Sequence, residues 1–130
     1  MISVLLIDDD PELLEIISLE LGDEGDFIIQ TCNTPDGAIE LAQAQRFDSI
    51  VCDISMPGMD GCSLLQLLRS RGCTAQLILY SGKEPDNEIT QALNRCVDVY
   101  VQRRGNPEAE FRELKGIIRT ASTARKQHPR

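Results

Sequence analysis

Five times along the chain a short aliphatic run gives way to an apolar set at helical spacing, each unit taking about 20–25 residues. Val4 to Ile7 reads as the first strand. Asp10-Pro11 then opens a helix, with Asp10 as N-cap and Pro11 at the first helical position, and Leu13, Ile16, Ile17 and Leu21 form its apolar stripe before Gly22 ends it. Phe27 to Thr31 is the second strand, and Thr34-Pro35 repeats the cap-then-proline opening ahead of Ala38, Leu41 and Ala42. Ser49 to Cys52 is the third strand, followed by Leu64, Leu65, Leu67 and Leu68. Leu77 to Tyr80 is the fourth, followed by Ile89, Ala92, Leu93 and Cys96. Val97 to Val101 is the fifth, and Asn106-Pro107 starts a last helix carrying Phe111, Leu114, Ile117 and Ile118. Strands alternating with helices in this way predict an α/β domain with a parallel sheet covered on both faces. Right-handed crossovers leave few arrangements, and for five βα units the expected order is 2-1-3-4-5, the flavodoxin-like (βα)5 fold.

That fold gives meaning to the acids. Ser49 to Cys52 is buried only if helices cover both of its faces, and it ends on Asp53. Pro57-Gly58 and Asp60-Gly61 force a turn before the next helix. Alone, Asp53 reads as a loop acid or a helix cap. A second cluster, Asp8-Asp9-Asp10, ends the first strand, and the switch point of the predicted order lies between strands one and three. Asp8 and Asp9 therefore meet Asp53 in one crevice. Carboxylates crowded together raise one another's pKa unless a cation intervenes, and Mg2+ is the natural partner for such oxygen ligands. No Gly-rich phosphate loop follows the first strand, so a nucleotide or flavin is not indicated. The crevice suits a phosphoryl group.

Composition narrows the setting. Aromatics make up 4% of the 130 residues and Trp is absent, so the core is aliphatic. The five cysteines (Cys32, Cys52, Cys62, Cys73, Cys96) are odd in number and lack CxxC spacing, which predicts reduced thiols in a cytoplasmic protein. No apolar run approaches the length of a membrane span and no signal peptide is evident. The net charge of −8 is uneven: all 21 acids and eight of the basic residues precede Lys115, while five basic residues and no acid occupy Lys115 to Arg130. An acidic body argues against direct nucleic-acid binding. The division expected is a domain over 1–120 and a basic tail or linker stub over 121–130.

Over residues 2–118 the sequence resembles the receiver domain of two-component response regulators. The motifs are Leu6-Ile7-Asp8-Asp9-Asp10, Cys52-Asp53-Ile54-Ser55-Met56-Pro57-Gly58-Met59-Asp60-Gly61, Leu79-Tyr80-Ser81-Gly82 and Asp98-Val99-Tyr100-Val101. The resemblance implies that Asp53 accepts a phosphoryl group from a phosphohistidine of a histidine kinase or phosphotransfer protein. It implies Asp8 and Asp9 as the acid pair for Mg2+, with Asp53 and the backbone carbonyl of Ser55 as further ligands. It makes Ser81 the hydroxyl that bonds the phosphoryl group, Arg103 the active-site cation and Tyr100 the aromatic whose rotamer follows the Ser81 bond. The output surface it implies is helix four, strand five and helix five, through which the chain acts as monomer or weak dimer.

One departure stands out. The family's Lys-Pro is replaced by Arg103-Arg104, and the segment Tyr100-Val101-Gln102-Arg103-Arg104-Gly105-Asn106-Pro107 resembles a variant of methanogenic archaea, in which receivers often precede sensor or kinase modules. A guanidinium keeps the charge but delivers it through a planar fork on a longer stem, so Arg103 is expected either to lean outward or to pair with Asp53 across a trans peptide to Arg104. Two other readings remain open at this point. A Mg2+-dependent phosphohydrolase usually carries a second acid two residues after its nucleophile, where this chain has Ser55. A pseudo-receiver, an interaction module without phosphate uptake, is disfavoured by the intact acids and left open by Arg103. The expectation is a phosphoacceptor, not an enzyme in the ordinary sense.

Overall fold

In the computed structural model, which describes the backbone of residues 1–127 and the side chains through residue 123, ten elements alternate without exception. They are β1 (Ile2–Ile7), α1 (Pro11–Gly22), β2 (Phe27–Cys32), α2 (Pro35–Ala44), β3 (Ser49–Cys52), α3 (Gly61–Ser70), β4 (Gln76–Ser81), α4 (Asn87–Arg95), β5 (Val99–Gln102) and α5 (Pro107–Gln127). All pairings are parallel and the order is β2-β1-β3-β4-β5, as the sequence predicts.

Side chains set the starts of the helices. Asp10 accepts the N–H groups of Glu12 and Leu13, Thr34 that of Gly37, Asp60 that of Ser63, Asp86 that of Ile89 and Asn106 that of Ala109. Each satisfies a donor that the first helical turn leaves without a partner.

The sheet divides the interior in two, because successive strand residues face opposite sides. Leu5 and Ile7 of β1, Ile50 and Cys52 of β3 and Leu77 and Leu79 of β4 pack under α2, α3 and α4 with Ala38, Leu64, Leu65, Leu68 and Ile89. Val4, Leu6, Val51, Ile78, Tyr80 and Val101 pack under α1 and α5 with Leu14, Ile17, Leu21, Phe111, Leu114 and Ile118. Every residue of β3 is buried, as a strand covered on both faces requires. Each fully buried Leu or Ile contributes about 1.5–3 kcal/mol relative to exposure.

Some details differ from the sequence reading. The buried stripe of α1 is Leu14, Ile17 and Leu21, and Ile16 is 51% exposed, because the face against the sheet is narrower than the apolar set. Leu93 of α4 is likewise exposed. β5 begins at Val99; Val97 still bonds back to Ala92 at the end of α4. β4 runs from Gln76 through Ser81, one residue longer at each end than the sequence predicts, so Ser81 ends the strand. Helix α5 continues past position 120 to Gln127, through most of the stretch expected as a tail, while 128–130 lie outside the described residues.

Candidate functional site

The ladder puts the acids together. Ile7 is in register with Cys52, and Cys52 with Leu79, so β1 and β3 end side by side and β4 runs two residues further, to Ser81. Beyond the strands the ladder continues for one residue: Asp53 N–H donates to the Ile7 carbonyl (3.0 Å) and Asp8 N–H to that of Cys32 (3.2 Å). Asp8 and Asp53 are 4% and 8% exposed, Asp9 is exposed, and a carboxylate oxygen from each lies within 4.8 Å of the other two. Close approach of the chain after β3 permits this crevice. At Gly61 a Cβ would stand 2.0 Å from the Asp53 carbonyl oxygen, so only glycine lets α3 begin there.

Each buried acid has partners. Asp53 Oδ1 accepts the Ile54 N–H at 2.8 Å and lies 3.1 Å from Arg103 Nη2. Asp8 Oδ1 accepts the Asp10 N–H at 3.0 Å, and Oδ2 lies 3.5 Å from the same Nη2. Burial pushes the Asp8 carboxyl up to about 6; the Asp10 N–H and the Arg103 charge pull it down, and the Asp53 charge and a hydrogen bond with Asp9 push it further up. Burial and the charges of Asp53 and Asp8 hold the neighbouring Cys52 thiol well above its ordinary value, leaving it a neutral core group. The three carboxylates face a single guanidinium, so the crevice carries surplus negative charge on hard oxygen donors. That donor set fits Mg2+.

Arg103 takes the inward of its two expected orientations, and every described peptide bond is trans. Its Nη2 also donates to the Tyr80 carbonyl at 3.2 Å, and its guanidinium carbon lies 4.8 Å from the centre of the Tyr80 ring. Its Nε is buried with no hydrogen-bond partner, which costs about 1–3 kcal/mol for a desolvated donor. Ser81 is buried at the end of β4; its hydroxyl accepts the Lys83 N–H at 3.4 Å and its carbonyl accepts the Arg103 N–H at 2.8 Å. The half-buried Tyr100 donates its hydroxyl to the carbonyls of Ser81 and Lys83, which fixes the β4–α4 loop. Ser55 is exposed two residues after Asp53.

Sequence reasoning did not single out Tyr80 or Glu110. The Tyr80 hydroxyl donates to Glu110 Oε1 at 2.8 Å, in the interior, and Oε2 accepts the N–H groups of Arg104 (2.7 Å) and Asn106 (3.3 Å). The one available signal, an acid after the Asn106 cap, falls a residue later than a capping box places it. A mixed cluster, Asp60, Cys62 and Glu88, joins the starts of α3 and α4; burial, foremost, and the Glu88 charge push the Cys62 thiol up to about 12.

A family model described as the response regulator receiver domain matches residues 4–114. The chain is 31% identical over 118 residues to the probable transcriptional regulatory protein TcrX of Mycobacterium tuberculosis, covering 91% of the chain and 50% of that protein. It is 29% identical over 113 residues to the nitrate/nitrite response regulator NarL of Escherichia coli, covering 86% of the chain and 52% of the relative. It thus spans about half the length of these curated relatives. Among solved structures, the response regulator TrrA of Thermotoga maritima, in complex with Mg2+ and BeF, superposes with a TM-score of 0.78 at 27% identity, covering 93% of this chain and 99% of that one.

Proposed function

The chain belongs to the response regulator receiver domain family, and from that premise we propose that Asp53 is its phosphoacceptor. The observation that carries this reading is the meeting of Asp8, Asp9 and Asp53 within 4.8 Å at the ends of β1 and β3, with Asp53 buried. Asp53 Oδ1 is held by the Ile54 N–H and Arg103, which leaves Oδ2 as the attacking oxygen. It forms a P–O bond with the phosphoryl group of a phosphohistidine on a histidine kinase or phosphotransfer protein, while the P–N bond breaks and its electron pair returns to the imidazole. Asp8, Asp9, Asp53 and the Ser55 carbonyl would hold Mg2+, which would offset the charge of the carboxylates and the incoming group. Arg103 adds a further positive charge beside the acceptor oxygen, and the Ser81 hydroxyl bonds a phosphoryl oxygen. Tyr100, released from the loop carbonyls it now holds, follows Ser81 and reshapes the face of α4, β5 and α5. Loss of the phosphoryl group to water resets the switch.

The setting proposed is the cytoplasm; among the described residues no helix is long and apolar enough to cross a membrane. The face of α4, β5 and α5 is the output surface, used as monomer or weak dimer, and a downstream sensor or kinase module is the proposed continuation beyond α5. The ion pair of Arg103 with Asp53 favours one competing reading, a pseudo-receiver in which a tethered cation occupies the acceptor. Acetyl phosphate with Mg2+ separates the two. We expect one acid-labile phosphate per chain on the wild type and none on Asp53→Asn or after chelation of Mg2+. Label that persists on Asp53→Asn sinks the assignment, and a folded wild type that takes none makes the chain a pseudo-receiver.

A further inference from the structure

Arg103 is the only cation within ion-pair distance of Asp53 among the described residues, and its stem is long and flexible, so something must hold the guanidinium in place. We propose that Tyr80 and Glu110 are positioning residues for the chemistry at Asp53 and act through Arg103; this rests on the phosphoacceptor reading above. Tyr80 touches the guanidinium from two directions, with the ring centre 4.8 Å from its central carbon and the carbonyl accepting from Nη2 (3.2 Å). The same Nη2 reaches Asp53 and Asp8, so the ring and the acceptor carboxylate hold one group between them. The ring itself is fixed by Phe111, edge-on at 6.3 Å, and by its hydroxyl on Glu110.

Glu110 closes the arrangement. Its second oxygen takes the N–H of Arg104, the residue after the cation, and that of Asn106. One buried carboxylate therefore ties the ring that holds the guanidinium to the loop that carries it. Burial works against a charge here, but the bonds from Arg104, Tyr80 and Asn106 outweigh it and keep the Glu110 carboxyl below its ordinary range. In this way an arginine without a following proline is set by packing and hydrogen bonds.

The experiment follows labelling of the purified full chain by acetyl phosphate and Mg2+, as initial rate against donor concentration. Arg103→Met lowers the maximal rate by about a hundredfold, the lower end of what losing one preorganised donor costs. Tyr80→Leu reproduces most of that loss with the half-saturating donor concentration unchanged, while Tyr80→Phe, which keeps the ring, stays within about threefold of wild type. Added to Arg103→Met, Tyr80→Leu slows labelling by less than about twofold more, because its target is already gone. Equal slowing in both backgrounds, or a wild-type rate in Tyr80→Leu, overturns the proposal. Should Tyr80→Leu fail to fold, Glu110→Gln is put through the same cycle with the same expectations. An independent readout is the Arg103 Nε–H proton resonance of the metal-free chain. It carries the ring-current shift of Tyr80, keeps it in Tyr80→Phe and loses it in Tyr80→Leu; an unmoved resonance overturns the positioning. If wild type takes no label, the phosphoacceptor reading falls and this resonance still decides whether Tyr80 places Arg103.

Discussion

Asp8 is the acid that the fold holds in its charged form at greatest cost. Its carboxyl is raised from 3.8 to about 6 in the folded chain, chiefly by burial. A group raised on folding lends stability that is complete below its unfolded value and is lost as pH rises through its folded value. For Asp8 that window runs from about pH 4 to above 6. Asp26, Asp86 and Glu110 are shifted the opposite way, so their contributions are lost only as pH falls through the acidic range. Metal-free protein should therefore melt at a higher temperature at about pH 5 than at about pH 7.5. Mg2+ should restore the loss at the higher pH and do little at the lower one. Asp8→Asn keeps an acceptor for the Asp10 N–H and should remove both effects. An unchanged pH dependence in that variant would show that another group carries it. At this scale the acids were legible because each ends a strongly apolar run. Arg103 was legible as a choice between two orientations, which the surplus charge of Asp8 and Asp53 decides. Tyr80 and Glu110 were not, since a buried Glu–Tyr bond depends on a loop conformation that no local pattern encodes.

The helix starts, three of them marked by proline, made the elements readable, and all five strands were placed within two residues at either end. The apolar stripes were less faithful: Ile16 and Leu93 share the chemistry of the core but not the face. Periodicity marks a helix, and only packing says how wide its buried stripe is. The element with most influence on the site is α3, whose first residue abuts the backbone of Asp53. Gly61→Ala would drive a methyl to 2.0 Å from the Asp53 carbonyl oxygen and 2.8 Å from its carbonyl carbon. We expect a loss of about 1–3 kcal/mol or more in urea unfolding, with slower labelling of Asp53. Gly116 is the contrast, exposed on α5 with nothing within 4 Å of an added Cβ. Gly116→Ala should stabilise by about 0.5–1 kcal/mol. Equal effects at the two glycines would contradict the close approach of α3 to the site.

The whole molecule is an acidic body with a basic last helix, and the helix folds back on the body. Lys115 lies 3.8 Å from Glu24, and Arg119 binds Glu24 and Asp26 while its guanidinium carbon stands 5.3 Å from the Phe27 ring. Two of the five basic residues at this end thus close α5 onto the turn between α1 and β2, which charge counting alone could not foresee. The order β2-β1-β3-β4-β5 and the helices on both faces were readable because alternation and the handedness of crossovers leave so few topologies. What the assembled molecule offers is one crevice in which a buried carboxylate, two neighbouring acids and one held guanidinium face a single point. The most direct test of that claim is to treat the chain with acetyl phosphate and Mg2+, reduce it with borohydride, which converts an acyl phosphate to the alcohol, and map the product by peptide mass spectrometry. The account predicts homoserine at position 53 and at no other acid. Homoserine at Asp8 or Asp9, or none at all in a folded chain supplied with Mg2+, would contradict it.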